Sequence, residues 1–284
     1  MLPDFILIGA MKCGTTTLAA QLAAQAGLFM TAPKEPNFFS DDAVFAQGPD
    51  WYEQLFTEAP SGAVKGEAST HYTKLPTHPR TVERLAAAGV QSEVKPRFVY
   101  MIRDPVERAV SHYIHDWSRE VMEVDIAQAF ARHPELVDYG RYGYQIAPYL
   151  KTFGVGSVLL TSLEQMTRDP DAVLAEVCRF VGLPGVPAWD HGLGAQNVSA
   201  ERFRRLPLHR LLVGNPVARA LRRALVPKAV RDKVRRARSI DERPKLPDGL
   251  RRELACDFAE DRAVLSRQFP GHPALDLCYP FLRK

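Results

Sequence analysis

The chain has 284 residues, with 37 Lys plus Arg against 33 Asp plus Glu and a formal charge of +4. Hydrophobic residues make up 46% and charged residues 25%, fractions that exclude a disordered or collagen-like chain and fit one large α/β domain or two small ones. No apolar run approaches the roughly 18 residues that a membrane-crossing helix needs.

Phe5-Ile-Leu-Ile8, bounded by Pro3 and Gly9, reads as a buried strand. It begins too close to Met1 for the charged and apolar regions of a secretory signal, so none is expected. Thr15 to Ala26 is rich in Ala, Leu and Gln and predicts a helix ending at Gly27. Weaker patterns predict a strand at Ala63–Gly66 and a helix at Thr81–Ala88. Arg97–Ile102 is a second apolar strand. A helix follows from Asp104 to about Ser118, with Asp104 as N-cap, Pro105 at the first helical position and Glu107 as capping-box partner. Tyr142–Phe153 is a weaker helix, Ser157–Thr161 a third strand, and Asp171–Val181 a helix ending at Gly182. Strands alternating with helices predict an α/β fold: a single P-loop-like domain with a central, mainly parallel sheet covered on both faces. Residues 1–190 would form this core. Residues 191–284 would form a mostly helical C-terminal extension over the cleft, with no strand between Gly192 and Pro247 and a last helix at Asp248–Gln268.

Four cysteines, Cys13, Cys178, Cys256 and Cys278, stand far apart without a Cys-x-x-Cys pair, which excludes a zinc ribbon or thioredoxin-type motif. They read as reduced thiols and predict a cytoplasmic protein. No His/Cys/Asp cluster offers a metal site.

The segment Gly9-Ala-Met-Lys12-Cys13-Gly14-Thr15-Thr16-Thr17 between a strand and a helix is a phosphate-binding arrangement. Its glycines allow a tight turn, the helix start directs free N–H groups at an anion, and the hydroxyls add donors. The nucleotide-triphosphatase form places Lys directly after the second glycine. Here the Lys lies two positions before Gly14, which disfavours an ATPase or kinase loop. Asp104 could follow its strand as a metal-binding acid, but its capping role explains it better. A second anion position follows Arg97–Ile102, where the carboxyl ends of parallel strands hold ligands. Arg103 offers a bidentate fork there, and Ser111 lies two turns along the helix.

Four ordered blocks, Lys12-Cys-Gly-Thr-Thr16, Lys34-Glu-Pro-Asn-Phe-Phe39, Gly66-Glu-Ala-Ser-Thr-His-Tyr72 and Arg103-Asp-Pro-Val-Glu-Arg-Ala-Val-Ser-His-Tyr113, resemble the sulfotransferases that use 3′-phosphoadenosine 5′-phosphosulfate (PAPS). The branch they look most like is that of the heparan sulfate sulfotransferases and their bacterial relatives, and the resemblance covers about two-thirds of the chain. It implies that Lys12, Cys13, Gly14, Thr15, Thr16 and Thr17 hold the 5′-phosphosulfate, and that Arg103 and Ser111 hold the 3′-phosphate. It implies Glu35 as the catalytic base and Lys12 as the group stabilising the leaving phosphate. His71 and Glu67 are subordinate catalytic candidates. Asn37 and Ala68 depart from that branch, where His and Lys are common, so the resemblance does not specify a glycosaminoglycan acceptor.

The residues also argue the chemistry. Sulfuryl transfer needs a base for the acceptor, a cation at the leaving phosphate and alignment of the two reactants. Pro36, Phe38 and Phe39 are expected to desolvate Glu35 and raise its pKa. The expected acceptor is a small molecule, glycan or glycolipid carrying a hydroxyl or amine. Two alternatives stand: a small-molecule kinase with an altered loop, and a non-catalytic module that binds nucleotide or a membrane surface. Residues 202–238 hold thirteen Lys or Arg and one acid, Asp232. This block is a solvated face, a sheath over an anionic ligand, or a peripheral membrane contact. Its few aromatics disfavour nucleic acid.

Overall fold

The computed structural model describes residues 2–90, 95–119, 121–122, 125–193 and 244–282. Five strands build one sheet: β1 (Phe5–Gly9), β2 (Leu28–Met30), β3 (Val64–Ala68), β4 (Arg97–Ile102) and β5 (Val158–Ser162). Their order is β2-β3-β1-β4-β5, and every pairing is parallel. Consecutive residues Phe5 to Ile8 and Phe98 to Ile102 are all 0% exposed. Burial of both alternating sets means that both faces of the sheet are covered, which is why these strands read as unbroken apolar runs.

The helices among the described residues are α1 (Thr15–Ala23), α2 (Asp42–Phe45), α3 (Gly48–Gln54), α4 (Thr81–Val90), α5 (Pro105–Trp117), α6 (Ile126–Arg132), α7 (Glu135–Asp138), α8 (Tyr142–Phe153), α9 (Leu163–Arg168), α10 (Pro170–Val181), α11 (Asp248–Gln268) and α12 (Pro273–Leu277). Helix α1 stops at Ala23, three residues short of its expected end, because the chain turns through Gly27 (φ 81°) into the short strand β2. The caps of α5 and α10 form as their sequences predict. Asp104 Oδ1 accepts from the amides of Val106 and Glu107 at 2.9 and 3.1 Å, and Gly182 ends α10 at φ 86°. The capping-box partner differs. The amide of Asp104 donates to Glu164 Oε1 at 2.9 Å, while Glu107 pairs with Arg251 of α11.

Helix α11 is fastened to α8 by an acid from a distant part of the chain. The carboxylate of Asp261 accepts from the amides of Gly143 and Tyr144 at 2.7 and 2.8 Å, capping the start of α8. A Cβ on Gly143 would lie 2.7 Å from the Asp261 carbonyl oxygen, so only glycine permits this approach. Leu254, Phe258 and Leu265 of α11 join the core that contains the sheet. The expected cover of the cleft by residues 191–284 falls largely on residues outside the described set, as does the basic block 202–238. Among the described residues no helix is long and apolar enough to cross a membrane.

The sheet order decides where a ligand can sit. The chain leaves β1 toward β2 and β3, and leaves β4 toward β5 on the opposite side. The crevice at the carboxyl ends of the neighbouring strands β1 and β4 is therefore the topological switch point.

Candidate active site

Two loops meet at that crevice. The first joins β1 to α1. Gly14 caps α1 in the left-handed region (φ 87°, ψ 7°) with no side-chain cap. The Thr17 amide donates to the Gly14 carbonyl at 3.0 Å, and the helix start directs the amides of Thr15 and Thr16 toward an anion. Gly9 has no alternative: a Cβ there would lie 2.0 Å from Thr73 Oγ1, which donates to the Ile8 carbonyl at 2.9 Å. Lys12 adopts φ 70°, a conformation that non-glycine residues rarely hold.

The second loop joins β4 to α5. Arg103 Nη1 donates to the Lys12 carbonyl at 3.3 Å, and its backbone N–H donates to Tyr142 Oη at 3.4 Å. Tyr142, at the start of α8, also lies 3.6 Å from Cys13 Sγ, so one phenol ties the two loops together. Arg103 Nε is buried with no protein partner. An orphaned guanidinium N–H beside a phosphate-type loop is a donor fitted to an anionic oxygen. Cys13 is buried, and burial pushes its thiol up to about 11, so it serves the loop by packing and its backbone rather than as a thiolate. Ser111 is buried two turns along α5. Asp104 is committed to capping, with Oδ1 taken by two amides.

A third segment, after β2, brings the acid. Glu35 N donates to the Ala68 carbonyl at 2.9 Å, which holds the segment against the end of β3. Lys34 Nζ lies 3.3 Å from Thr16 Oγ1 and 3.0 Å from Glu35 Oε1. A single ammonium thus joins the phosphate loop to the carboxylate. Thr70 Oγ1 donates to the same Glu35 oxygen at 3.3 Å. Glu35 and Asn37 have φ of 61° and 56°, and with Lys12 they are the non-glycine residues at positive φ among those described. Backbone strain gathers at this cleft, as it does at functional sites.

The expected rise of the Glu35 pKa is overturned. Burial does push the carboxyl up, but the Lys34 ammonium bonded to it, together with Lys74 and His71, outweighs burial and holds it below the ordinary value. Phe38 and Phe39 pack against Tyr52, with ring centroids 4.7 and 5.0 Å apart.

Glu67 is fully buried, and burial raises its pKa. Its oxygens are occupied by Tyr52 Oη and by Ser69 Oγ, the latter at 2.6 Å, and Ser69 Oγ in turn accepts from Asn37 N at 3.1 Å. Glu67 thus supports the Glu35–Asn37 segment from below. His71 stacks on His78 with centroids 4.7 Å apart, and burial pulls its pKa down to about 4.

The structure brings Lys12, the loop threonines, Arg103 and Glu35 to one cleft. Sequence reasoning missed Lys34, whose only signal was its place beside Glu35, and Lys74, which had none. It also missed Arg108 of α5. This side chain is fully buried, donates to the Leu136 carbonyl, and has Nη1 3.5 Å from His112 Nδ1, while His112 Nε2 lies 3.1 Å from Asp116 Oδ2. Among the described residues no group of three or more His, Cys, Asp or Glu stands close enough to hold a metal.

A parallel α/β sheet with a glycine-bounded anion loop and an arginine at its switch point defines a phosphate-binding protein of the P-loop-like kind. Within that class, residues 2–202 match the model of the sulfotransferase domain family, and the chain belongs to that family. It is 29% identical over 192 residues to the mouse heparan sulfate glucosamine 3-O-sulfotransferase 3B1, covering 64% of this chain and 46% of the relative. It is 22% identical over 203 residues to the bifunctional heparan sulfate N-deacetylase/N-sulfotransferase 1 of Caenorhabditis elegans, covering 66% of this chain and 23% of the relative. The chain therefore spans half or less of the length of these relatives. Its fold is like that of a sulfotransferase from Alicyclobacillus acidocaldarius, with a TM-score of 0.64 at 23% identity over 94% of this chain and 95% of that one.

Proposed function

We propose that the protein is a PAPS-dependent sulfotransferase that modifies a hydroxyl or amine of a small molecule, glycan or glycolipid. The observation that carries the reading is the Lys34 bridge, which puts Glu35 one side chain away from the phosphate loop. Family membership supports the reaction class.

PAPS supplies the sulfuryl group, and adenosine 3′,5′-bisphosphate is what remains after transfer. The first-turn amides and hydroxyls of Thr15, Thr16 and Thr17, with Gly14 and Lys12, hold the 5′ end. Arg103 and Ser111 hold the 3′-phosphate, and the unpartnered Arg103 Nε fits that duty. Lys12 offsets the charge that develops on the departing phosphate oxygen. As the acceptor oxygen or nitrogen bonds to sulfur and the bond from sulfur to the phosphate oxygen breaks, the acceptor proton passes to Glu35. Because Lys34 keeps Glu35 ionised, the base is ready at neutral pH without first losing a proton. Glu67 and His71 take supporting roles: one is satisfied beneath the loop, the other neutral and stacked.

Calorimetric titration tests the reading directly. Adenosine 3′,5′-bisphosphate is expected to bind without a metal, and ATP with Mg²⁺ is not. Preference for ATP–Mg²⁺ would promote the kinase alternative. Binding of the bisphosphate without turnover of labelled PAPS by any acceptor would favour the non-catalytic module.

A further inference from the structure

The segment whose Thr70 bonds Glu35 also carries a cation that the chemistry above does not use. Lys74 follows β3 on the segment 70–78, which is held firmly. Gln145 of α8 bonds both the amide and the carbonyl of Leu75, at 2.7 and 2.9 Å, and Tyr149 Oη donates to the Tyr72 carbonyl at 2.8 Å. The Lys74 ammonium sits 5.7 Å from the Tyr139 ring centroid. It is half-buried, yet among the described residues no carboxylate stands within ion-pair distance of it. Glu35 is engaged by Lys34 and Thr70, and Asp116 is engaged by His112. A partly desolvated ammonium with no bonded counter-charge is costly unless a ligand supplies one.

The neighbours favour an anion there. His71 and His78 flank Lys74 on its own segment, and burial keeps both rings neutral near pH 7. His78 Nδ1 is spent on the Ser40 carbonyl at 3.1 Å, whereas His71 Nδ1 is buried with no partner. From α5 and its end, Arg108 and Arg119 add positive potential, opposed by Asp116, and Glu35 opposes it from the segment after β2. Burial, only partly offset by Glu35 and Asp116, lowers the Lys74 pKa to about 8. The ammonium is therefore charged at neutral pH and loses its charge as pH rises through about 8.

We propose that Lys74, with His71 beside it, reads a negatively charged substituent on the acceptor, so that the favoured acceptor carries a carboxylate, sulfate or phosphate near the group that receives the sulfuryl. This rests on the sulfotransferase reading and deepens it. Lys74 acts on binding and alignment of the acceptor, while Glu35 takes the proton.

The test uses a matched pair of probes, 4-nitrophenyl β-glucoside and 4-nitrophenyl β-glucuronide, which differ at one carboxylate. Each is titrated into the full chain saturated with adenosine 3′,5′-bisphosphate. The glucuronide is expected to bind about tenfold or more tightly at pH 7, the usual scale of a charge-assisted hydrogen bond. The preference should fade above about pH 8. Lys74→Met should lower glucuronide affinity to the level of the glucoside, and Lys74→Arg should keep the preference and carry it to higher pH. Equal binding of the two probes, binding of neither, or a preference that survives in Lys74→Met would overturn the proposal. If Lys74→Met does not fold, the pH dependence of the unaltered protein decides: a preference unchanged between pH 7 and 9.5 overturns it. Failure of the bisphosphate to bind in the first step would overturn the sulfotransferase reading itself and is read before any acceptor is added.

Discussion

The two sides of the cleft are built from different materials. The side proposed for the cofactor is mostly backbone: a helix start without a side-chain cap, glycines that a Cβ would not permit, and one arginine whose Nε–H has no protein partner. The side proposed for the acceptor is mostly side chain: Glu35, Lys34, Lys74 and His71, held on loops by Ser69, Thr70 and Gln145. Backbone amides can hold a phosphate whatever else the chain varies, whereas side chains on loops can be exchanged one at a time. One side is therefore suited to a fixed donor and the other to a changeable acceptor.

Substitutions can separate the two sides. The largest effect is expected for Glu35→Gln, which keeps the shape and the Thr70 contact but removes the base. Its kcat should fall by about 10²–10⁴, while affinity for adenosine 3′,5′-bisphosphate stays within a few-fold. Unchanged turnover would remove Glu35 from the chemistry. Arg103→Ala should act on the other side, weakening the bisphosphate by about 1.5–3 kcal/mol in calorimetry, as for a hydrogen bond to a charged group. If its affinity held, the 3′-phosphate would have to lie elsewhere.

Asp261→Ala tests the scaffold rather than either side. It leaves the Gly143 and Tyr144 amides without their acceptor and should destabilise the fold by about 1–3 kcal/mol, a drop of several degrees in melting temperature. A melting curve that does not move would mean that another acceptor replaces the carboxylate.

The smallest and most diagnostic change is Lys34→Met. Losing the ammonium removes the main influence that keeps Glu35 below its ordinary pKa. A carboxylate with a depressed pKa stays active until pH falls through that low value, so without Lys34 the acidic limb of kcat/KM should move to higher pH. A limb that stays in place would show that Glu35 does not set it.

Much of this was legible in the sequence for local reasons. Apolar runs marked β1 and β4, Asp104-Pro105 marked the start of α5, and the spacing of Gly9, Lys12 and Gly14 marked the anion loop. In each case the chemistry lies within a few consecutive residues, so a linear pattern carries it. Strand β2 escaped because three residues hold no periodicity, and α2, α3, α6, α7 and α9 span only four to seven residues, two turns at most. Glu35 was legible as a position but not as an electrostatic state. Its aromatic neighbours in sequence turn toward Tyr52, and the ammonium groups of Lys34 and Lys74, from two separate segments, act on it instead.

The sequence by itself determined the parallel α/β architecture, the phosphate loop, the arginine at the second strand end and the acid that follows the first helix. Hydrophobic runs, glycines and caps act through neighbours along the chain, and they suffice for these. Only the tertiary structure decided that the strand order puts both loops at one switch point, that Lys34 bridges loop and acid, and that Glu67 lies sealed beneath them. It also decided that α11 caps α8 through Asp261 and that Lys74 stands near Glu35 without a bonded counter-charge. Those relations join residues up to 118 positions apart. They depend on desolvation and on distances across the fold, which no local pattern encodes.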